Sequence, residues 1–180
     1  MLFSTKRLQV RKLRITDIND LHEMHSNPRV MLYTGDQVKD FKTDKDNLEK
    51  IIQKYDQPDN DFWVWAIERK SDQALAGTCA IIKTHFHEYN TDIKYEIGFR
   101  FLEKHWGNGY GSELTPALLS YVFDYYKVKV IWAEADVLNE ASVKILDKNL
   151  VNQGKRWNES DNCWDYHYLL TKEEHDQKRH

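Results

Sequence analysis

Cysteine is scarce in this chain of 180 residues, where Cys79 and Cys163 are the two thiols. So few in a chain of this size do not build a disulfide framework, and both are read as reduced. Long apolar runs are also lacking. The N-terminus, MLFSTKRLQVRKLR, holds no segment of signal-peptide type, and nowhere do apolar residues run far enough to span a bilayer. No basic stretch stands out from a net charge of −3, which leaves neither nucleic acid nor an anionic membrane as an expected partner. Free amines are more natural partners. There is no linker, internal repeat or low-complexity tract, and the length suits one well-buried core. The expectation is a single domain over 1–180 with a charged tail from 172 that frays, cytoplasmic, as a monomer or homodimer.

What the chain does have is an organising stretch over 91–115. Tyr95, Ile97, Phe99 and Phe101 alternate with Lys94, Glu96, Gly98 and Arg100, which predicts a strand. Trp106-Gly107-Asn108-Gly109-Tyr110-Gly111-Ser112 then forms a turn with glycine at every second position. Leu114, Ala117, Leu118, Tyr121, Val122 and Tyr125 follow at the spacing of one buried helix face. A glycine loop between a strand and a helix gathers unpaired N–H groups and the positive end of the helix dipole, a site for phosphate or pyrophosphate. Gly111 is followed by Ser112 and Glu113 rather than by a lysine and a hydroxyl residue, which argues against a nucleotide-hydrolysing P-loop. The Gly-x-Gly-x-Gly spacing argues equally against a dinucleotide fingerprint.

Elsewhere the pattern predicts a strand at Leu8, Val10 and Leu13, then a helix capped by Thr16 with Ile18, Leu21 and Met24 on one face. Asn27-Pro28 stops that helix, and Thr43 with Asp46 caps the next, whose stripe is Leu48, Ile51, Ile52 and Tyr55. Strands follow at 62–68 and 74–85, then the 91–101 strand, the loop helix, a strand through Val128, Val130, Ile131 and Trp132, a helix capped by Asn139, and a closing hairpin around 155–157 and 164–170. His85 and His87 share a strand face without a third ligand, so no metal is assigned. His22 and His25 are read as polar-face residues, and His105 as a flank of the loop able to neutralise phosphate. Trp63 and Trp65, on one strand face, are read mainly as core.

The loop and this order of elements together resemble the GNAT superfamily of acyl-CoA-dependent N-acyltransferases. Its pyrophosphate loop reads Gln/Arg-x-x-Gly-x-Gly/Ala, and Trp106, Gly109 and Gly111 take those places. An aromatic residue before Gly-x-Gly-Tyr is similar to the branch that acetylates ribosomal-protein N-termini. Asn139-Glu-Ala-Ser142 likewise resembles the family's Asn-x-x-Ser segment, whose side chains face the pantetheine arm and sulfur, although Lys148 is followed by Asn149-Leu150-Val151 where the family continues Lys-x-Gly-Phe. The resemblance implies an α+β fold: a mixed, mostly antiparallel sheet of six or seven strands, about four helices, and a parallel strand pair either side of the loop helix. It implies acetyl-CoA as co-substrate, bound by Phe99, Arg100, Phe101, Trp106, Gly107, Asn108, Gly109, Tyr110, Gly111, Ser112, Asn139, Ser142 and Lys148.

Acetyl transfer to an amine needs a group to take the ammonium proton, a donor for the thioester oxygen and an acid for the departing thiolate. Glu96 matches the strand glutamate that serves as base in several relatives, and is otherwise a solvated strand carboxylate. A backbone N–H near Phe99 to Phe101 is the oxyanion donor if a bulge opens that strand. Many family members carry an acidic tyrosine seven residues after the asparagine, where Leu146 stands here; Ser142 is the substitute, or else a residue of the helix cap. The acceptor is a peptide N-terminus in the first reading, a small amine such as an aminoglycoside or polyamine in the second. A catalytically weak acyl-CoA-binding module is the remaining alternative.

Overall fold

A computed structural model describes residues 1–35, 37–84 and 94–178. In chain order its elements are β1 (Phe3–Ser4), β2 (Leu8–Lys12), α1 (Ile18–His25), α2 (Pro28–Met31), α3 (Phe41–Lys54), β3 (Phe62–Arg69), β4 (Leu75–Thr84), β5 (Lys94–Phe101), α4 (Tyr110–Tyr126), β6 (Val130–Asp136), α5 (Glu140–Asn149), β7 (Val151–Asn158), β8 (Cys163–Thr171) and α6 (Lys172–Gln177). Eight strands form one sheet in the order β1-β2-β3-β4-β5-β6-β8-β7. The expected α+β plan holds. Its extra strand is the two-residue β1, and its extra helices are the short α2 and α6. His85 and His87 lie outside the described residues. No described helix is long and apolar enough to cross a membrane.

Local chemistry explains where the helices begin. Asn27 caps α2 by accepting from the Arg29 N–H at 2.9 Å, with Pro28 at the first helical position, so the Asn-Pro pair that ends one helix starts another. Thr43 does not cap α3; Asp40 does, accepting from the Thr43 N–H at 2.8 Å, and the helix starts correspondingly earlier. Thr16 is not a cap either. It lies in a 3₁₀ turn, Ile15–Asp17, where Asp17 accepts from the Arg14 N–H at 2.8 Å. The tail expected to fray from 172 is helical as α6, because Thr171 and Glu174 form a capping box and buried His175 stacks on Phe123.

The chain divides into two compact units, Met1–Ile81 with Gly98–Tyr110, and Ile82–Ile97 with Gly111–His180. In the first, β2 pairs antiparallel with β3, Val10 opposite Ile67, and the core gathers Leu13, Leu21, Met24, Leu48, Ala66 and Leu102. Buried Arg11 spans Asp17, at 2.8 and 2.9 Å, and Glu68, at 2.5 Å, so each charge taken from water has a partner. In the second unit β6 lies parallel to β5 and antiparallel to β8. Helix α4 buries Leu114, Leu118, Leu119, Val122 and Phe123; the expected stripe is rotated, and Tyr125 is left 67% exposed.

Candidate active site

The glycine loop has a clear division of polar groups. Gly107 and Gly109 sit at φ +74° and +72°, a region that L side chains avoid. The carbonyls around them are occupied by side-chain donors. Asn108 Nδ2 donates to the His105 and Trp106 carbonyls at 3.0 and 3.1 Å, the Trp106 indole donates to the Phe101 carbonyl at 2.9 Å, and Arg7 donates to the Asn108 carbonyl at 2.9 Å. The amides of Gly107, Asn108 and Gly109 meet no acceptor among the described residues. Helix α4 starts at Tyr110, so its first-turn N–H groups, Gly111 and Ser112 included, add to the same supply. The outcome is a surface rich in free backbone donors, which fits a pyrophosphate. His105, expected to offer a positive charge here, is instead buried, and burial together with Arg69 lowers its pKa and so disfavours the charged form.

Strand β5 reaches this loop through Phe99, Arg100 and Phe101. Gly77 of β4 is fitted to it: a Cβ there would stand 2.1 Å from the Arg100 carbonyl oxygen and 2.8 Å from the Phe101 Cα. Glycine is therefore required by close backbone approach. Phe101 faces Phe99 and Tyr110, with ring centroids 6.0 and 6.2 Å apart, and Arg100 directs Nη1 to the Met31 sulfur at 3.5 Å.

Glu96 belongs to the second unit. The parallel register sets it beside Trp132, so Glu96, Trp132 and Glu134 share one face of the sheet. Burial, and after it the charge of Glu134, pushes the Glu96 carboxyl up from about 4.5 to about 7. Glu134 is likewise raised to about 7, by burial and then by Asp165 and Asp161. Antiparallel pairing with β8 places His167 opposite Glu134, with Nε2 3.6 Å from its Oε2 and the imidazole stacked on Trp132 at 6.2 Å. Trp132 donates through Nε1 to Thr84 Oγ1 at 2.9 Å, which fixes the indole. This face offers two carboxyls poised near neutrality, an imidazole and an aromatic plane.

Helix α5 supplies the second motif. Asn139 caps it with Oδ1, accepting from the Ser142 N–H at 3.2 Å, so the cap expected from sequence is present. Asn139 Nδ2 and Ser142 Oγ have no partner among the described residues, and both side chains are only partly buried. The cap and a further role are thus compatible, since they use different atoms. Leu146 is buried in the core, 3% exposed, and Lys148 is exposed in the last turn, where its charge suits the helix dipole.

Comparison with known proteins agrees with this architecture. Residues 7–149 match the model of the acetyltransferase (GNAT) domain. The chain belongs to the GNAT family of acetyltransferases. It is 28% identical to the uncharacterized N-acetyltransferase YnaD of Bacillus subtilis (strain 168), over 97% of this chain and 99% of that one. It is 31% identical to the uncharacterized protein YkkB of the same organism, over 53% of this chain, and there it spans about half of the relative, 55%. The crystal structure of spermidine N-acetyltransferase from Vibrio cholerae in complex with CoA and spermine superposes with a TM-score of 0.77, at 20% identity, covering 94% of this chain and 98% of that one.

In this GNAT N-acetyltransferase, several site residues escape motif reading. Arg7, Gly77, Glu134 and His167 come from strands far apart in sequence or from their flanks. Alternation along β6 could have placed Glu134 on the face of Trp132, whereas nothing local marks Arg7. His22 and His25 pair through Nδ1 with the two oxygens of buried Asp44, at 2.8 and 2.7 Å, so they tie α1 to α3 rather than line a solvated face. Trp65 is buried core, as expected. Among the described residues no group of three or more His, Cys, Asp or Glu gathers for a metal.

Proposed function

We propose that this acetyltransferase moves the acetyl group of acetyl-CoA onto a small primary amine that carries a second positive charge, and that all of 1–180 serves this one activity. The observation that carries the reading is the pair Glu96 and Glu134 on one sheet face. Glu96 takes a proton from the ammonium group, and the freed nitrogen attacks the thioester carbonyl. A backbone N–H near Phe99 to Phe101 stabilises the developing oxyanion, the carbon–sulfur bond breaks, and the second proton that the acylated nitrogen must lose reaches the departing thiolate through Ser142 or solvent. Glu134 receives the second cationic group. A protein of this fold is described with spermine bound, which supports the same class of acceptor. The loop from Trp106 to Ser112 holds the pyrophosphate, and Asn139 Nδ2 donates to the pantetheine arm.

A peptide N-terminus is the second reading. A base near 7 is well matched to an α-amine, whose pKa is about 7.7–8.0. The test is release of free thiol from acetyl-CoA across a panel holding a triamine, a matched monoamine and peptides with small N-terminal residues. The triamine should exceed the monoamine in kcat/KM by about tenfold, the value of one charge-assisted contact. Peptides outrunning every small amine would overturn the small-amine reading in favour of the second.

A further inference from the structure

We infer that Arg7 is a positioning residue for the cofactor loop: it pins the Asn108 carbonyl and thereby fixes the direction in which the Gly109 N–H points. The residue lies just before β2, remote in sequence from the glycine motif it serves. Its Nη1 donates to the Asn108 carbonyl at 2.9 Å, its guanidinium lies over the Tyr110 ring at 4.8 Å, and its Nη2 is 3.7 Å from where a Gly109 Cβ would stand. These contacts seat one cation on one side of the loop.

The consequence follows from peptide geometry. The described residues have no cis peptides, and in a planar trans peptide the C=O and N–H point in opposite directions. With the Asn108 carbonyl held against Arg7, the Gly109 N–H must face the other way. Gly107 and Gly109 are left-handed with Asn108 between them at an ordinary φ, an alternation that turns successive amides into one concavity for an anion. Glycine makes that arrangement reachable but not secure, because the peptide before Gly109 can turn over at little cost when no Cβ opposes it. Turned over, it would aim a carbonyl oxygen at the phosphates. Arg7 selects the productive orientation, and its stacking on Tyr110 keeps the guanidinium in place.

The inference rests on the loop's taking the pyrophosphate of CoA, and the experiment separates the two. Calorimetry measures CoA binding to the parent, Arg7→Met and Arg7→Lys, alongside melting temperatures, and steady-state rates are taken with acetyl-CoA and with S-acetylpantetheine, which lacks the pyrophosphate. Arg7→Met should weaken CoA binding and raise the acetyl-CoA KM by about tenfold, the loss of one hydrogen bond from a charged donor. The kcat at saturating acetyl-CoA and the melting temperature should stay near the parent's. Arg7→Lys should recover most of the affinity, since an ammonium still donates to the Asn108 carbonyl. With S-acetylpantetheine the three proteins should be equal. A parent that fails to bind CoA overturns the loop reading itself. A parent that binds, with Arg7→Met binding equally well, overturns only the role of Arg7. Equal losses with both donors, with a lower melting temperature, make Arg7 a structural residue and overturn the inference too.

Discussion

At the scale of single residues, Glu96 connects acidity, activity and stability. Its carboxyl is raised to about 7, so the ionised form that accepts a proton becomes dominant only above that pH. The kcat/KM profile should therefore rise through an acid limb near pH 7. Glu96→Gln should lower the rate by about 10² to 10⁴, the usual contribution of a general base, while leaving acetyl-CoA affinity unchanged. Stability should move in the opposite sense. A group whose folded pKa is raised contributes stability below its unfolded value of about 4.5, and that contribution is lost as pH rises through about 7. At pH 8 the parent keeps a charge in a site that disfavours it. Thermal melts of Glu96→Gln should accordingly run above the parent at pH 8 and level with it at pH 4. Glu134→Gln tests the coupling between the carboxylates: removing that charge should move the acid limb to lower pH, and a limb that stays in place would show the two to be independent. The same variant should cost the second cationic contact, so discrimination between a triamine and a monoamine should shrink.

At the scale of elements, α5 carries a capping side chain with one atom left for the second role proposed above. Asn139 caps with its oxygen, and its amide nitrogen is left over. Asp caps as well as Asn and suits the positive helix end, so Asn139→Asp should hold the melting temperature. It cannot donate, and it places a charge near an anionic cofactor, so acetyl-CoA affinity should fall by about tenfold. Calorimetry beside a thermal melt reads both. The elements also show how much was written in local sequence. The alternation of β5, the glycine spacing and the Asn139 cap were legible because each depends on contacts within a few residues. Thr16 and Thr43 misled because Thr16 lies inside the 3₁₀ turn that precedes α1, and Thr43 lies inside α3, which Asp40 starts earlier by accepting from the Thr43 N–H. The rotated face of α4 reflects tertiary burial, which spacing alone does not rank when Phe123 and Tyr125 compete. Gly77, Glu134 and Arg7 were illegible as site residues because their roles arise only when strands distant in sequence pair or when a loop folds back on β2.

At the scale of the whole molecule, cofactor binding and folding are one equilibrium. A ligand that binds only the native chain stabilises it by about 2.7 kcal/mol at a concentration a hundred times its Kd. For a chain of this length each kcal/mol moves the melting temperature by about 2–4 °C, so saturating CoA should raise it by about 5–10 °C. The shift needs no acceptor and no turnover, which makes it a readout of cofactor binding alone. Gly109→Val should abolish it. A Cβ at Gly109 meets only the Arg7 guanidinium, at an ordinary contact distance of 3.7 Å, so crowding is not the cause. The cause is the backbone: φ is +72°, and a β-branched residue there is a genuine outlier. Valine will draw the loop out of the left-handed region and turn the amides of 108 and 109 away from the anion. Because that loop is exposed, the strain can relax locally and the ligand-free melting temperature should stay close to the parent's. A Gly109→Val protein with the parental CoA-dependent shift would mean that the pyrophosphate is held elsewhere. A ligand-free melting temperature well below the parent's would mean that the glycine serves folding as well.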